Sequence, residues 1–264
     1  MNRVARSVLV AAALLAGLPA LGQAAPSATP VPRMAADAHP SFAVATIKLH
    51  DPSSSRQGFN NSGDRVTIRN ENLANLMQFA YAIHPRQMAN LPDWAFHDSY
   101  DIEGTTDTPD EPSLRQQQEM LQKLLADRFG LKFHREQREM DAYAVQIAKG
   151  GPKLKPTANP DAEPDQQGNG HGTEQTIKYT SASMQDFAFG SQFFLDRPVV
   201  DQTGLSGRYD FSYRYTYDEE HATDPNAPPG LFTAVQQQLG LKFEPVKAPV
   251  EVFVIDHVER PSAN

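Results

Sequence analysis

Apolar positions along this chain repeat with two periods, and stretches of each alternate. In SFAVATIKL, residues 41–49, Phe42, Val44 and Thr46 alternate with small or apolar neighbours, the pattern of a strand. A polar turn region, DPSSSRQGFNNSGD, separates it from a second short strand, RVTIR. In NENLANLMQFAYAI the period changes. Leu73, Leu76, Met77 and Ala80 fall at i, i+3, i+4 and i+7 and give one apolar helical face, with Asn70 as the expected N-cap. LPDWAF reads as a turn holding the single tryptophan, and SYDIEG as another short strand. The clearest helix is SLRQQQEMLQKLLADRFG. Ser113 and Gln116 have capping-box spacing, Leu121, Leu124 and Leu125 supply its stripe, and Gly130 is the left-handed stop. LKFHRE and DAYAVQIA then predict two strands of a hairpin around a polar turn.

Gly, Pro, Asp and Asn dominate residues 150–174, which read as a linker with no interior of its own. Beyond it the order of elements recurs. IKYTS stands where VTIRN stood, SMQDFAFGSQFF where NLANLMQFAYAI stood, and GRYDFSY where DSYDIEG stood. LFTAVQQQLG, LKFEP and VEVFVIDHV complete the second set, and GLKF closes a helix at both Gly130 and Gly240. The offsets are nearly constant: 111 from Val66 to Ile177, 109 from Tyr100 to Tyr209, and 110 from Leu121 to Leu231. Separate blocks at one period indicate internal duplication. The expected fold is therefore α+β, with two internally duplicated lobes, residues 41–149 and 175–264. Each would pack short helices on a small antiparallel sheet. VEVFVIDHV, the most β-prone run, is expected near a sheet centre.

The N-terminus changes the picture of where this fold works. MNRVAR carries two positive charges, SVLVAAALLAGLPAL is an apolar run of fifteen residues, and Gly22-Gln23-Ala24 offers small residues at the cleavage positions. That order is a signal peptide over residues 1–24, cleaved near Ala24. A retained anchor is the competing reading, but the run is shorter than a membrane span and broken by Pro19. Residues 25–40 are rich in Ala and Pro and read as a flexible tether. The expected location is periplasmic or secreted, with no transmembrane segment left after cleavage. No cysteine occurs, so disulfides, thiolate metal sites and a lipid-attachment cysteine are excluded. The formal charge is −8, from 24 Lys+Arg against 32 Asp+Glu, and no basic stripe is present, so nucleic acid is not an expected partner.

Taken together, FAVATIK, LMQFAYAI, LPDW, YDIEG, LLADRFGLKFHREQREMDAYAVQIAKGGPKLK, RPVVDQTGLSGRYDF and the ending from LFTAVQQQLGLKFEP onward resemble the "soil-associated" family of exported bacterial proteins. The likeness runs from about Phe42 to the C-terminus. It is a family of unknown function, found as large paralogous sets in some soil bacteria, and it carries no assigned catalytic residues. Some members look fused to membrane metalloproteases of the antibiotic-sensing type, which implies a sensory or binding role. The helix–Gly-Leu–strand unit is also similar to small protein-binding domains at the N-termini of secretins and TonB-dependent receptors.

Motifs for chemistry are sparse. His134-Arg-Glu136 and His257-Val-Glu259 each place two ligand types on one strand face, without the third protein ligand that a hydrolytic zinc takes. His97 and Asp98 stand near Trp94. Asp201-Gln-Thr-Gly204 has the wrong spacing for an aspartic-protease loop, and Lys149-Gly-Gly151 lacks a partner nucleophile motif. The acidic runs Asp161–Asp165 and Asp218–Asp224 lack the order of a calcium loop, and no glycine-rich phosphate cradle is present. No catalytic, cofactor-binding or metal-binding residue is assigned. The function expected is that of an exported cell-envelope binding or interaction protein, whose partner is an envelope protein or a small extracellular ligand. Its candidate contact surface is the turn Leu91–Phe96 with Asp93 and Trp94, the turn Arg197–Gly204 with Arg197 and Asp201, and the groove between the lobes. The alternative is an envelope hydrolase with a His/carboxylate site between the lobes, drawing on His84, His97 or His257.

Overall fold

The computed structural model describes residues 32–217 and 227–261. The expected signal peptide, the first part of the expected tether and the acidic run Asp218–Asp224 lie outside the described residues. The fold is mixed, with five α-helices and three small four-stranded sheets among those residues.

The first sheet runs β1 (Phe42–Leu49), β5 (Ser99–Thr106), β3 (Arg65–Asn72), β2 (Gly58–Ser62), all antiparallel. Helices α1 (Leu73–Tyr81) and α3 (Leu114–Arg128) contribute to the core formed with it, filled by Leu73, Leu76, Met77, Leu121, Leu125 and Phe129. The last sheet runs β7 (Lys155–Pro156), β11 (Tyr209–Thr216), β9 (Glu174–Ala182), β8 (Asp165–His171), also antiparallel. Its core, with α4 (Met184–Ser191) and α5 (Leu231–Leu239), holds Tyr179, Phe187, Phe211, Tyr213 and Phe243.

Between them lies the element least visible in the sequence. β6 (Lys132–Ile147) is one 16-residue strand and β12 (Leu241–His257) one 17-residue strand, paired antiparallel along their length. The expected hairpin within 131–148 is therefore wrong, as is the break between LKFEP and VEVFVIDHV. HREQREM contains no glycine, proline or asparagine to turn the chain, and its pairing partner lies more than a hundred residues away. Pro245 and Pro249 are tolerated inside β12 for a specific reason. Tyr143, opposite Pro245, donates its N–H outward to Pro198 O at 2.8 Å, so this is a non-hydrogen-bonded pair and no donor is missed. Pro249 follows at the same parity.

Short parallel strands flank this ribbon: β10 (Val199–Asp201) against β6, and β4 (Met88–Ala89) against β12. VEVFVIDHV thus lies on an inner strand. The registers share one spacing. Val199 pairs with Tyr143 and Met88 with Phe253; each member of the first pair is 110 or 111 positions from its counterpart in the second. At the ribbon's middle Glu139 faces Pro249, itself 110 residues on. The ribbon feeds both cores: Leu131, Phe133 and Ile255 enter the first, and Val145, Leu241 and Phe243 the second.

Local details refine several expectations. The N-cap of α1 is Asn72, whose side chain accepts from Asn75 N at 2.9 Å, and not Asn70. Asn70 instead adopts φ 53° in a bulge of β3, and its N–H donates to Asp101 Oδ1 at 3.1 Å. Ser181 does the same 111 residues later, at φ 50°, donating to Asp210 Oδ1 at 2.9 Å. The caps at Ser113 and Gly130 stand as expected. Gly240 must be glycine, since a Cβ there would lie 2.1 Å from Gly151 O.

Two segments read as structureless are ordered. Residues 32–40 dock along α3: Met34 is buried, and the Gln116 amide donates to Ala35 O and Ala38 O. Proline and alanine carbonyls are good acceptors, which low apolar content does not reveal. Within 150–174, β7 and β8 join the last sheet, β8 through a hairpin with β9. LPDWAF is no plain turn either, since Trp94–His97 forms a one-turn helix, α2.

Candidate functional site

A cleft of about 880 Å³ opens beside the middle of the ribbon. Its lining comes from the far parts of the chain: Ala82 and Gln87 after α1, Arg115 and Gln118 at the start of α3, Gln185, Asp186, Ala188 and Phe189 of α4, and Gln192 just after it. β10 adds Val199 to Asp201, and the ribbon adds Gln137, Pro249, Val250 and Glu251. These places follow from the topology, because both ribbon strands pass their midpoint here.

Most of its polar side chains are held internally. Gln87 accepts from His84 N at 2.8 Å and donates to Glu251 O at 2.9 Å. Gln118 donates to Phe79 O at 3.1 Å, and Gln192 Oε1 accepts from Val199 N at 3.3 Å. Asp186 caps its own helix through Ser183 N and Oγ. Asp201 accepts from Thr203 N at 2.8 Å and from its hydroxyl at 2.7 Å, and Arg208 donates to Ser181 O. By contrast, Arg115, Gln137 and Gln185 are exposed and have no side-chain hydrogen bond to the described residues. The result is a stiff polar frame presenting one guanidinium, two amides and the carboxylates of Asp161 and Glu163, which likewise have no side-chain partner among the described residues. Among the lining residues none carries a hydroxyl, thiol, imidazole or amine.

The sequence candidates divide. Arg197 precedes β10 and Asp201 is its last residue. Arg197 lies over the Tyr143 ring at 5.3 Å and pairs with Asp196 at 3.4 Å, while Asp201 lines the cleft. Trp94 packs against the first core under the Arg260 guanidinium, 5.1 Å from its ring; Arg260 in turn donates to Asp98 at 2.7 Å. Asp93 is exposed and 3.4 Å from His97. Neither Trp94 nor Asp93 lines the cleft.

The histidines are scattered by partner. His84 bonds Leu195 O, His97 faces Asp93, and His257 lies beside Gly130. Among the described residues no group of three or more His, Cys, Asp or Glu side chains is placed to hold a metal. His134 bridges Asp256 at 2.9 Å and Glu136 at 3.2 Å on the exposed ribbon, and those carboxylates raise its pKa. His50, which no motif singled out, is tucked against Asp101 at 2.7 Å, with its other nitrogen 3.1 Å from Ser54 O. The Asp101 bond, working against burial, lifts the His50 pKa above 6.5. Burial opposes ionisation of Asp101, but the His50 and Asn70 N–H bonds outweigh it and hold its carboxyl below the usual range. The signal for Asp101 was available in the repeated Tyr-Asp at 100–101 and 209–210. Nothing local marks the cleft glutamines.

Among the described residues no helix is long and apolar enough to cross a membrane. Residues 74–258 match the model of a family described as a protein of unknown function, DUF3738. No curated protein and no solved structure matches the chain.

Proposed function

We propose, from the premise that this chain belongs to the DUF3738 family of proteins of unknown function, that it is an exported envelope binding protein. On this reading it is built from two copies of one α+β unit and takes its ligand in the cleft beside the ribbon. The apolar run and small-residue cleavage positions in residues 1–24 support export. Support for duplication comes from features at a spacing of 109–111: the bulges at Asn70 and Ser181, the helix starts at Leu73 and Met184, and the ribbon registers.

One observation carries the binding reading. The cleft has the volume of a ligand site, its frame is largely locked by internal bonds, and Arg115, Gln137 and Gln185, with the Asp161 and Glu163 carboxylates, are left to face a partner. Amides donate and accept together, which suits a peptide segment or another hydrogen-bond-rich ligand. A hydrolase with a His/carboxylate site is the weaker reading, because no histidine lines the cleft.

The test is crosslinking in the native host, with a photoreactive residue at position 137, at position 185 or, as a control, at Val44, exposed on β1 and outside the cleft lining. Partner adducts are expected from 137 and 185, to disappear with Arg115→Glu, and to be absent at 44. Equal capture at 44, or adducts indifferent to Arg115, overturns the cleft as the binding site.

A further inference from the structure

Two histidines face acceptors with both ring nitrogens: His50 through Asp101 and Ser54 O, and His134 through Asp256 and Glu136. Each accommodates a second proton. His84 is placed differently. Its Nδ1 lies 3.1 Å from the backbone N–H of Arg86, a group that only donates, so Nδ1 must be bare. Its Nε2 lies 3.2 Å from the carbonyl of Leu195, which only accepts, so Nε2 carries the hydrogen. A proton added to Nδ1 would point at another N–H. The residue is 5% exposed, so water does not take over the lost contact.

The surrounding charges do not rescue the cation. Arg86 follows in the same 3-10 turn, Pro85–Gln87. The Asp196 carboxylate, beside Leu195, is shared among Arg197 at 3.4 Å, Arg86 at 3.6 Å and the Tyr143 hydroxyl at 3.2 Å. α1, packed on the turn, offers no charged side chain, only Tyr81, whose hydroxyl is pushed by burial to about 12. From β12 comes Glu251, 3.6 Å from Arg135. Burial pulls the His84 pKa below 6.5; the Leu195 carbonyl opposes this, Arg86 adds to it and Asp196 opposes it more weakly.

The turn that His84 holds is also a wall of the cleft. The His84 N–H donates to Gln87, Gln87 donates to Glu251 O, and both Gln87 and Glu251 line the cleft. We propose that His84 is an acid-sensitive latch: neutral, its bare Nδ1 caps the 84–87 turn at Arg86 N–H while Nε2–H ties the ring to Leu195 O, fixing the Gln87–Glu251 wall, and a proton on Nδ1 breaks that cap and loosens the wall. This rests on the cleft reading for its consequence, which is weaker ligand binding in acid. The sign follows from a depressed pKa: the latch contributes fully above 6.5, the unfolded value, and is lost as pH falls through the folded value.

The test uses the full chain without ligand, observing the histidine ring nitrogens by NMR from about pH 8 to about pH 4 alongside amide exchange. Wild-type His84 is expected as the Nε2–H tautomer titrating below 6.5. Protection of residues 84–89, corrected for intrinsic exchange, should fall by up to about tenfold for each pH unit separating the folded and unfolded values. His84→Gln, which donates and accepts but does not titrate, should keep protection at neutral pH and lose its acid dependence. His84 titrating at or above 6.5, flat wild-type protection, or the same acid dependence in the variant each overturns the latch. Because no ligand is used, the latch can fail while cleft crosslinking succeeds, and the reverse.

Discussion

The two cores occupy matching frames of strands and helices but are filled with different chemistry. The first is mostly aliphatic, with Leu73, Leu76, Met77, Met120, Leu121 and Leu125 closed off by Phe129. The second is largely aromatic. Phe187 sits 5.8 Å from both Phe211 and Phe243, 5.9 Å from Tyr179 and 6.1 Å from Tyr213. Helix length explains the difference. α3 has 15 residues and buries Met120, Leu121, Leu124 and Leu125, whereas α5 has nine and buries only Ala234, Val235 and Leu239, so less aliphatic volume comes from the helix. The aromatic solution has a chemical cost, since the buried Tyr179 and Tyr213 hydroxyls lie near each other without a well-formed hydrogen bond.

The most direct way to sharpen this comparison is to truncate Leu76 and Phe187, each the fourth residue of its helix and both fully buried. Phe187→Ala should cost about 4 kcal/mol and Leu76→Ala about 3 kcal/mol in denaturant unfolding, since the larger ring leaves the larger cavity. A Leu76→Ala cost above that of Phe187→Ala would break the proposed hierarchy.

A smaller effect tests how tightly the rings are packed. A Cβ on Gly190 would sit 2.2 Å from the Tyr179 hydroxyl oxygen and 2.4 Å from Gln166 Oε1, the latter at the end of a flexible side chain that can turn away. Alanine for glycine inside a helix normally stabilises by about 1 kcal/mol. Here Gly190→Ala should instead destabilise by about 2 kcal/mol through overpacking. Adding Tyr179→Phe should recover most of the loss, while Tyr179→Phe alone stays within about 1 kcal/mol of wild type because its hydroxyl has no good partner. Calorimetric melting of the three variants decides it; no recovery in the double variant would place the strain elsewhere.

The smallest and most local effect contrasts the two bulges. Asp101 holds both Asn70 N–H and the His50 ring, whereas Asp210 holds Ser181 N–H with no histidine. The His50 pKa is raised, so its contribution is complete below 6.5 and lost as pH rises through the folded value. Amide-exchange protection around residues 50–54 and 70, corrected for intrinsic exchange, should therefore fall on the alkaline side, with that of Ser181 unaffected. His50→Gln should abolish that pH dependence; persistence in the variant would assign it to another group.

Legibility followed the range of the interactions. α3 could be bounded from sequence because its cap, stripe and stop all lie within eighteen residues, Ser113 to Gly130. The ribbon could not, because residues 134–139 are polar and exposed on both faces and their pairing rests on Pro249 to Val254. The 110-residue spacing was visible, yet it does not reveal that each copy of GLKF starts a strand that pairs with the other. Asp201 was singled out and lines the cleft, whereas Gln137 and Gln185 belong to no local pattern. The docking of Met34 was hidden in a Pro- and Ala-rich stretch, where a single buried side chain and a few carbonyl acceptors were enough.

The ribbon also sets a timetable. A ribosome that has completed residue 150 has produced every helix of the first core but not Ile255, which that core needs. Val145 and Tyr143 likewise wait for Leu241 and Phe243 before they are covered. The second core has its last member at Phe243 and the first only at Ile255, so the N-terminal core is the later of the two to be completed, and a stop a dozen residues early leaves it unfinished.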